Sequence, residues 1–111
     1  MLGYRRHPFT LATSSDGDGE GVTLAAAGEL DLATAPELRA ALDKLRLAGR
    51  DVVLDLSSLS YMDSSGIAVL VGALRQAGHD GRTLKVRERL TDQVARILEV
   101  TGLRDVLPWA G

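Results

Sequence analysis

Cysteine is absent from this chain, which excludes disulfide bonds and thiolate metal ligands and suits a reducing compartment. Long apolar runs are missing too, and none approaches the roughly 20 residues that a membrane-spanning helix needs. The first residues lack the pattern of charged, apolar and small residues that marks a signal peptide. We therefore expect a cytoplasmic protein that neither crosses a membrane nor contains disulfides.

An excess of charge of one sign is also missing. The formal net charge is -2, so we expect no direct binding to nucleic acid or to an anionic membrane. The only histidines are His7 and His79, and neither belongs to a pair with metal-ligand spacing. We therefore expect no metal ion and no cofactor.

The residues that are present fit one compact domain. The chain has 111 residues, of which 45% are hydrophobic, and this suits a single continuous core. We expect one domain over residues 1–111, in which residues 1–7 form a flexible N-terminal segment. We expect a monomer or a weak dimer.

Apolar periodicity predicts strands and helices that alternate along most of the chain. The predicted strands are residues 9–13, 22–27, 52–56 and 83–86. The polar, glycine-rich residues 14–21 fit a hairpin loop between the first two strands. They lack the later glutamate and the spacing of a calcium-binding loop.

Three helices have start and stop signals, with one further turn predicted at residues 103–107. The start and stop residues are, in order, Thr34 and Gly49, Ser64 and Gly78, and Thr91 and Gly102. Thr34 and Glu37 have the spacing of a capping box. The order strand, strand, helix, strand, helix, strand, helix favours an α/β fold with right-handed crossovers. We predict a mixed sheet of four to five strands packed with three to four helices.

The most informative segment is residues 54–67, in which a strand is predicted to lead through a polar loop to a helix that begins at Ser64. A helix N-terminus has unpaired N–H groups and a partial positive charge, so it tolerates an added phosphate. Gly66 would leave the backbone there unshielded by a side chain. The same residues also fit a simple helix cap, with one serine capping and the other exposed. The residues by themselves leave both interpretations open.

A serine hydrolase is one alternative, with Ser64 as nucleophile, Asp63 and a histidine. Adjacent residues do not easily supply the geometry in which one group orients the base, and the Gly-x-Ser-x-Gly nucleophile elbow is missing. His7 lies in the predicted flexible segment, and His79 follows a glycine that is predicted to end a helix. We therefore expect no enzymatic activity.

Three motifs follow one another along the chain. The first is Gly28-Glu29-Leu30-Asp31 with Thr34-Ala35-Pro36-Glu37-Leu38; the second is Val53-Leu54-Asp55-Leu56 with Tyr61-Met62-Asp63-Ser64-Ser65-Gly66-Ile67; the third is Val94-Ala95-Arg96-Ile97-Leu98-Glu99-Val100-Thr101-Gly102-Leu103. Together they resemble the STAS domains and, among these, the anti-sigma factor antagonists. The resemblance covers nearly the whole chain.

The resemblance implies a phosphorylation switch at Ser64. In that family the serine directly after the aspartate is phosphorylated by a partner that is both an anti-sigma factor and a serine kinase. The unphosphorylated antagonist binds this partner and frees a sigma factor, phosphorylation ends the binding, and a phosphoserine phosphatase restores it. By the same resemblance, Asp31, Asp63, Ser65 and Gly66 belong to the partner-binding surface. An aspartate just before a helix also fits a cap or turn residue, so both interpretations stay open for Asp31 and Asp63.

A STAS fold does not by itself imply switching. The alternative within the family is a non-switching interaction or nucleotide-sensing module, such as a transporter subunit or a component of a stress complex. A Gly-x-x-x-x-Gly-Lys loop for nucleotide phosphates is missing. One segment departs from the family pattern, because members often have an Asn-Pro-Ser-like turn where this chain has Arg87-Glu88-Arg89-Leu90. We expect this difference to affect partner choice more than the phosphorylation motif.

Two features near these motifs are apolar. Tyr61 and Met62 precede the predicted switch and fit an apolar contact rim, with at least one of them pointing into the core. Trp109 follows Pro108 near the end of the sequence. We expect it to pack the tail against the domain rather than to anchor a partner.

Overall fold

The computed structural model describes residues 8–15 and 21–110. Its strands are β1 (Thr10–Ser15), β2 (Gly21–Leu30), β3 (Asp51–Met62) and β4 (Leu84–Val86). Its helices are α1 (Ala35–Leu47), α2 (Ser64–Asp80) and α3 (Asp92–Val100), followed by a 3-10 turn at Leu103–Asp105. The predicted α/β fold and the order of its elements are confirmed. The predicted flexible segment, residues 1–7, lies outside the described residues.

The sheet is mixed, with the strand order β1-β2-β3-β4. β1 is antiparallel to β2, while β2, β3 and β4 are parallel to one another. β1 runs on through Ser15 and β2 begins at Gly21, so both ends of the predicted hairpin loop belong to strands. The centre of that loop, residues 16–20, lies outside the described residues.

One hydrophobic cluster joins the sheet to all three helices. Alternate residues of β2 and β3 point into it, which is the period-two pattern of a strand with one buried face. The fully buried members of the cluster include Leu24, Leu54 and Leu56 from the sheet, Leu38 from α1, Leu70 from α2 and Val94 and Leu98 from α3. This core fixes α1, α2 and α3 relative to the ends of the strands.

β3 is much longer than the predicted strand at residues 52–56, and the predicted polar loop at residues 57–63 is wrong up to Met62. The strand continues because β2 is long as well, and its last residue, Leu30, pairs with Met62. Leu59 and Met62 are both fully buried. The serines at positions 57, 58 and 60 favour a loop by composition, but the Ser60 hydroxyl donates to the carbonyl of Gly28 at 3.1 Å.

α2 is also longer than predicted, because Gly78 does not end it. The helix continues to Asp80 and ends at Gly81, whose φ of 68° is left-handed. The next residue, Arg82, donates its backbone N–H to the carbonyl of Ala77 at 2.9 Å, which closes the last turn. Gly78 lies within the helix and is exposed.

Thr34 and Thr91 are the N-cap residues of α1 and α3, as predicted, but the predicted capping bonds are wrong, because neither side chain bonds to its helix N-terminus. The Thr34 hydroxyl donates to the carbonyl of Glu29 at 2.7 Å. The Thr91 hydroxyl donates to the carbonyl of Leu59 at 2.8 Å. Both hydroxyls bond instead to carbonyl groups of the sheet.

Among the described residues, no helix combines the length and the hydropathy needed to cross a membrane. Nor do three or more histidine, aspartate or glutamate side chains come together there in a group that could hold a metal ion. Trp109 packs against the core, as expected, and its indole N–H donates to the carbonyl of Arg104 at 3.0 Å.

Candidate functional site

The candidate site lies at the carboxyl ends of β2 and β3. These parallel strands end in register, with Leu30 paired to Met62, and Asp31 and Asp63 are the residues that follow. The backbone N–H of Asp63 donates to the carbonyl of Leu30 at 3.2 Å and extends the pairing. Because the carboxyl ends of parallel strands meet at one edge of a sheet, both aspartates lie where α2 begins.

Asp63 is the N-cap of α2. Its Oδ1 accepts from the backbone N–H of Ser65 at 2.9 Å, and its carbonyl accepts from the N–H groups of Gly66 and Ile67 at 3.0 and 3.3 Å. An extended backbone and an acceptor side chain are the usual features of this position. The interpretation that one of the serines caps the helix is wrong, because the aspartate caps it.

Ser64 is the first residue of α2, and it is exposed. Its hydroxyl forms no hydrogen bond with any residue that the structure describes. The first turn of α2 itself contains no acidic residue, so the negative charge nearest the positive end of the helix dipole is the capping carboxylate of Asp63. Ser65 is half-buried and is held through its backbone by Asp63. The Ser64 hydroxyl therefore has no hydrogen-bond partner among the described residues, while the backbone around it is held in place.

Asp31 is a turn residue that starts α1. Its side chain is 7% exposed, and its Oδ1 accepts from the N–H groups of Ala33 and Thr34 at 3.0 and 3.2 Å. Its carbonyl accepts from the N–H of Ala35 at 2.7 Å. Of the two interpretations left open for Asp31, the structure supports the turn. A contact of Asp31 with a partner stays a prediction.

Gly66 belongs to the core under the site. A Cβ added there would lie 2.7 Å from Cγ of Met62 and 2.8 Å from Cδ2 of Leu30. The interpretation of Gly66 as unshielded backbone is therefore wrong, because these two side chains cover it. The absence of a side chain at Gly66 lets the first turn of α2 sit directly on the ends of β2 and β3.

Gln93 of α3 is a residue at this site that the sequence reasoning missed. Its Oε1 accepts from the backbone N–H of Met62 at 2.8 Å, and its Nε2 donates to the carbonyl of Met62 at 2.9 Å. A glutamine near a helix start has no sequence signal that names a distant backbone partner. The available signal was indirect. If β3 had been predicted to continue to Met62, its edge beyond β4 would have needed hydrogen-bond partners from another part of the chain.

Exposed apolar side chains lie at the same end of the sheet. Leu32, directly after Asp31, is 79% exposed, and Tyr61 is 41% exposed. Met62 is fully buried, which confirms that one of the two residues in the predicted rim points into the core. The surface around Ser64 therefore combines a free hydroxyl with apolar area.

The divergent segment, residues 87–90, runs along the middle of β3 and not at the Ser64 turn. The N–H of Arg87 donates to the carbonyl of Leu54 at 3.0 Å, and its guanidinium reaches the Thr23 hydroxyl at 3.5 Å. Hydrogen bonds from Ser57, aided by the charges of Arg87 and Arg89, lower the pKa of Asp55, although burial opposes the shift. The segment thus forms its own charged cluster on the sheet.

No described histidine lies near Ser64. His79 is in the last turn of the same helix, about 22 Å along its axis at the rise of an α-helix. His7 lies outside the described residues. The described part of the chain therefore holds no Ser-His-Asp arrangement at Ser64.

Comparisons with known proteins agree with this fold. A family model described as Mlab, STAS domain matches residues 13–108. The anti-sigma-B factor antagonist of Bacillus subtilis (strain 168) is 40% identical over 81 residues, which cover 73% of this chain and 73% of that protein.

Solved structures show the same architecture. An anti-sigma factor antagonist from Mycobacterium paratuberculosis matches with a TM-score of 0.80 and 22% identity, over 92% of this chain and 85% of that one. The anti-sigma factor antagonist SpoIIAA in its unphosphorylated form matches with a TM-score of 0.73 and 23% identity, over 94% of this chain and 89% of that one. Its phosphorylated form matches with a TM-score of 0.66 and 22% identity, over 94% and 92%. From the family model and the similarity to the Bacillus subtilis protein, this chain belongs to the STAS domain family, in the group of the anti-sigma factor antagonists.

Proposed function

We propose that this protein binds an anti-sigma factor when Ser64 is unmodified, so that a sigma factor is released, and that phosphorylation of Ser64 ends this binding. One observation carries the proposal: the Ser64 hydroxyl is exposed and unbonded within the described structure, at the start of a helix that Asp63 caps. A relative that is 40% identical bears the name anti-sigma-B factor antagonist. SpoIIAA, which shares the fold, occurs in phosphorylated and unphosphorylated forms.

The partner in this proposal is an anti-sigma factor with serine kinase activity. The Ser64 oxygen bonds to the γ-phosphorus of kinase-bound ATP, and the bond from that phosphorus to the β,γ-bridging oxygen breaks, its electron pair leaving on ADP. The hydroxyl proton passes to a basic group of the kinase. A phosphoserine phosphatase reverses the change by transfer of the phosphoryl group to water, which releases inorganic phosphate and restores the hydroxyl.

In this proposal the kinase supplies the catalytic groups. The described residues place no histidine beside Ser64, and the Asp63 Oδ1 accepts a hydrogen bond from Ser65. ATP and sigma factors are found in the cytoplasm, so we place the protein there. In the proposed reaction, this protein presents the Ser64 hydroxyl and binds the anti-sigma factor.

A phosphate on Ser64 acts on the complex rather than on the fold. It adds about −1.5 to −2 charges at neutral pH. In the free protein this charge faces water and the positive end of α2, which tolerate it. In a close complex it must be desolvated beside the Asp63 carboxylate, which opposes binding.

Intact mass spectrometry tests this function. The protein is incubated with ATP and with each candidate anti-sigma kinase encoded in the same genome. We expect one phosphate on the wild type and on Ser65→Ala, and none on Ser64→Ala. If no kinase adds a phosphate to the wild type, the non-switching STAS module becomes the better account. If Ser64→Ala is still modified, the phosphorylated residue is not Ser64.

A further inference from the structure

The outer edge of β3 changes partners along its length. Near its start, residues 52–54 pair with β4, whose last residue, Val86, lies opposite Leu54. Beyond that point β4 has ended, while β3 continues to Met62. Unpaired backbone groups at a strand edge cost free energy when they are shielded from water. On this stretch, side chains around the start of α3 take the place of the missing strand.

Gln93 pairs with Met62 in the way that a strand residue would. Its amide accepts from the N–H and donates to the carbonyl of Met62, at 2.8 and 2.9 Å. Thr91 makes a single bond to the same edge, from its hydroxyl to the carbonyl of Leu59 at 2.8 Å. Gln93 therefore supplies the last two bonds of this edge before the chain turns into α2.

The peptide group between Met62 and Asp63 is consequently held from both sides. Its carbonyl accepts from Gln93 at 2.9 Å, and its N–H donates to the carbonyl of Leu30 at 3.2 Å. Because these two bonds hold the plane of the peptide group, they also hold the direction of the backbone at Asp63. Asp63 in turn bonds to the N–H groups of Ser65 and Gly66. Ser64 is thus flanked by held backbone on both sides.

We propose that Gln93 is a positioning residue for the phosphorylation of Ser64. This inference rests on the proposed function and adds that Gln93 helps to orient the Ser64 hydroxyl. Phosphoryl transfer needs the attacking oxygen in line with the leaving group, so a freely rotating turn reacts more slowly than a fixed one. Gln93 is half-buried and bonds to the backbone of Met62. Its effect on Ser64 therefore passes through Met62 and Asp63.

The kinetic test compares Gln93→Met with Thr91→Val. The first removes both bonds to Met62 and keeps the side-chain length; the second removes the bond to Leu59, further from Ser64. We expect Gln93→Met to lower kcat for phosphorylation roughly tenfold while its KM for the kinase stays within about twofold. We expect Thr91→Val to change neither. Equal losses of kcat in the two variants, or no loss in Gln93→Met, would overturn the proposal.

A second measurement needs no kinase. Amide hydrogen exchange in the free proteins should be faster at Met62 and Asp63 in Gln93→Met than in the wild type, and unchanged there in Thr91→Val. Unchanged exchange in Gln93→Met contradicts the positioning role even if Ser64 is never phosphorylated. Failure of the wild type to accept phosphate, with the exchange result as expected, counts against the proposed function alone.

Discussion

At the scale of single residues, the two aspartates that directly follow β2 and β3 have different roles. Asp63 caps α2 through one side-chain bond, and it is half-buried. Asp31 is buried, and its Oδ1 accepts from the backbone of Ala33 and Thr34. In the sequence both are simply an aspartate before a helix, because the composition of a turn does not show where its carboxylate points.

Replacing Asp31 by alanine should destabilise the fold. The change leaves the N–H groups of Ala33 and Thr34 without their side-chain acceptor, and we expect a loss of about 1–2 kcal/mol in the free energy of unfolding. Asp31→Asn keeps an oxygen acceptor without the charge and should retain more of the stability. Urea unfolding of the three proteins measures this. Full stability of Asp31→Ala would show that the turn does not need the carboxylate.

The exposed apolar side chain of Leu32 should matter for binding and not for folding. It is 79% exposed, and Leu47, at the last residue of α1, is 77% exposed and serves as a matched control. We expect Leu32→Ala to weaken binding of the anti-sigma factor by about fivefold or more, which is the scale of an interface residue worth 1 kcal/mol. Leu47→Ala should leave the affinity unchanged, and both variants should keep wild-type stability. Equal affinities for Leu32→Ala and the wild type would exclude Leu32 from the interface.

Part of the free energy of unfolding should depend on pH through the ionisation of Asp55. Its folded pKa lies below its ordinary value of 3.8, mainly through hydrogen bonds from Ser57. A lowered pKa means that the contribution is present above the unfolded value and is lost as the pH falls through the folded one. The stability of the wild type should therefore exceed that of Asp55→Asn near neutral pH, and the difference should shrink on acidification below 3.8. Chemical unfolding at several pH values measures it, and a constant difference would contradict the assignment.

At the scale of secondary-structure elements, strand pairing decides whether a segment of ambiguous composition forms a strand or a loop. The serines at positions 57, 58 and 60 favour a loop by composition, yet β2 and the start of α3 offer partners that keep them in β3. Similarly, glycine alone predicts the end of α2 at Gly78, but only Gly81 adopts the left-handed conformation that ends it. The strands with regular alternation and the helices with periodic apolar faces were predictable because those signals are local.

The packing of α2 on the sheet can be tested through two of its glycines. Gly66→Ala places a methyl group against Met62 and Leu30, and we expect a loss of about 1–3 kcal/mol from overpacking. Gly78→Ala is the matched control, since nothing lies within 4 Å of its Cβ position, and it should stabilise the helix by about 0.5–1 kcal/mol. Thermal unfolding of both variants gives the signs. A stabilised Gly66→Ala would mean that the site relaxes without cost.

At the scale of the whole molecule, Ser64, the residue of the proposed switch, lies apart from the hydrophobic core that stabilises the fold. The sequence was sufficient for the α/β order, the mixed sheet and the place of Ser64 at a helix start, because motifs and periodicity are both local. It was not sufficient for the bonds from Gln93 or the role of Gly66, which depend on residues far apart in the chain. Ser64 itself lies outside the core, so its modification can change binding while the fold persists.

The affinity of the anti-sigma kinase for two forms of this protein tests the central claim most directly. It should be measured at matched salt for the unmodified protein and for the protein phosphorylated on Ser64, with Ser64→Ala as the form that cannot be modified. We expect the unmodified protein and Ser64→Ala to bind alike, and the phosphorylated protein to bind at least about tenfold more weakly because its charge must be desolvated beside Asp63. Equal affinities for the phosphorylated and unmodified forms would contradict the switch.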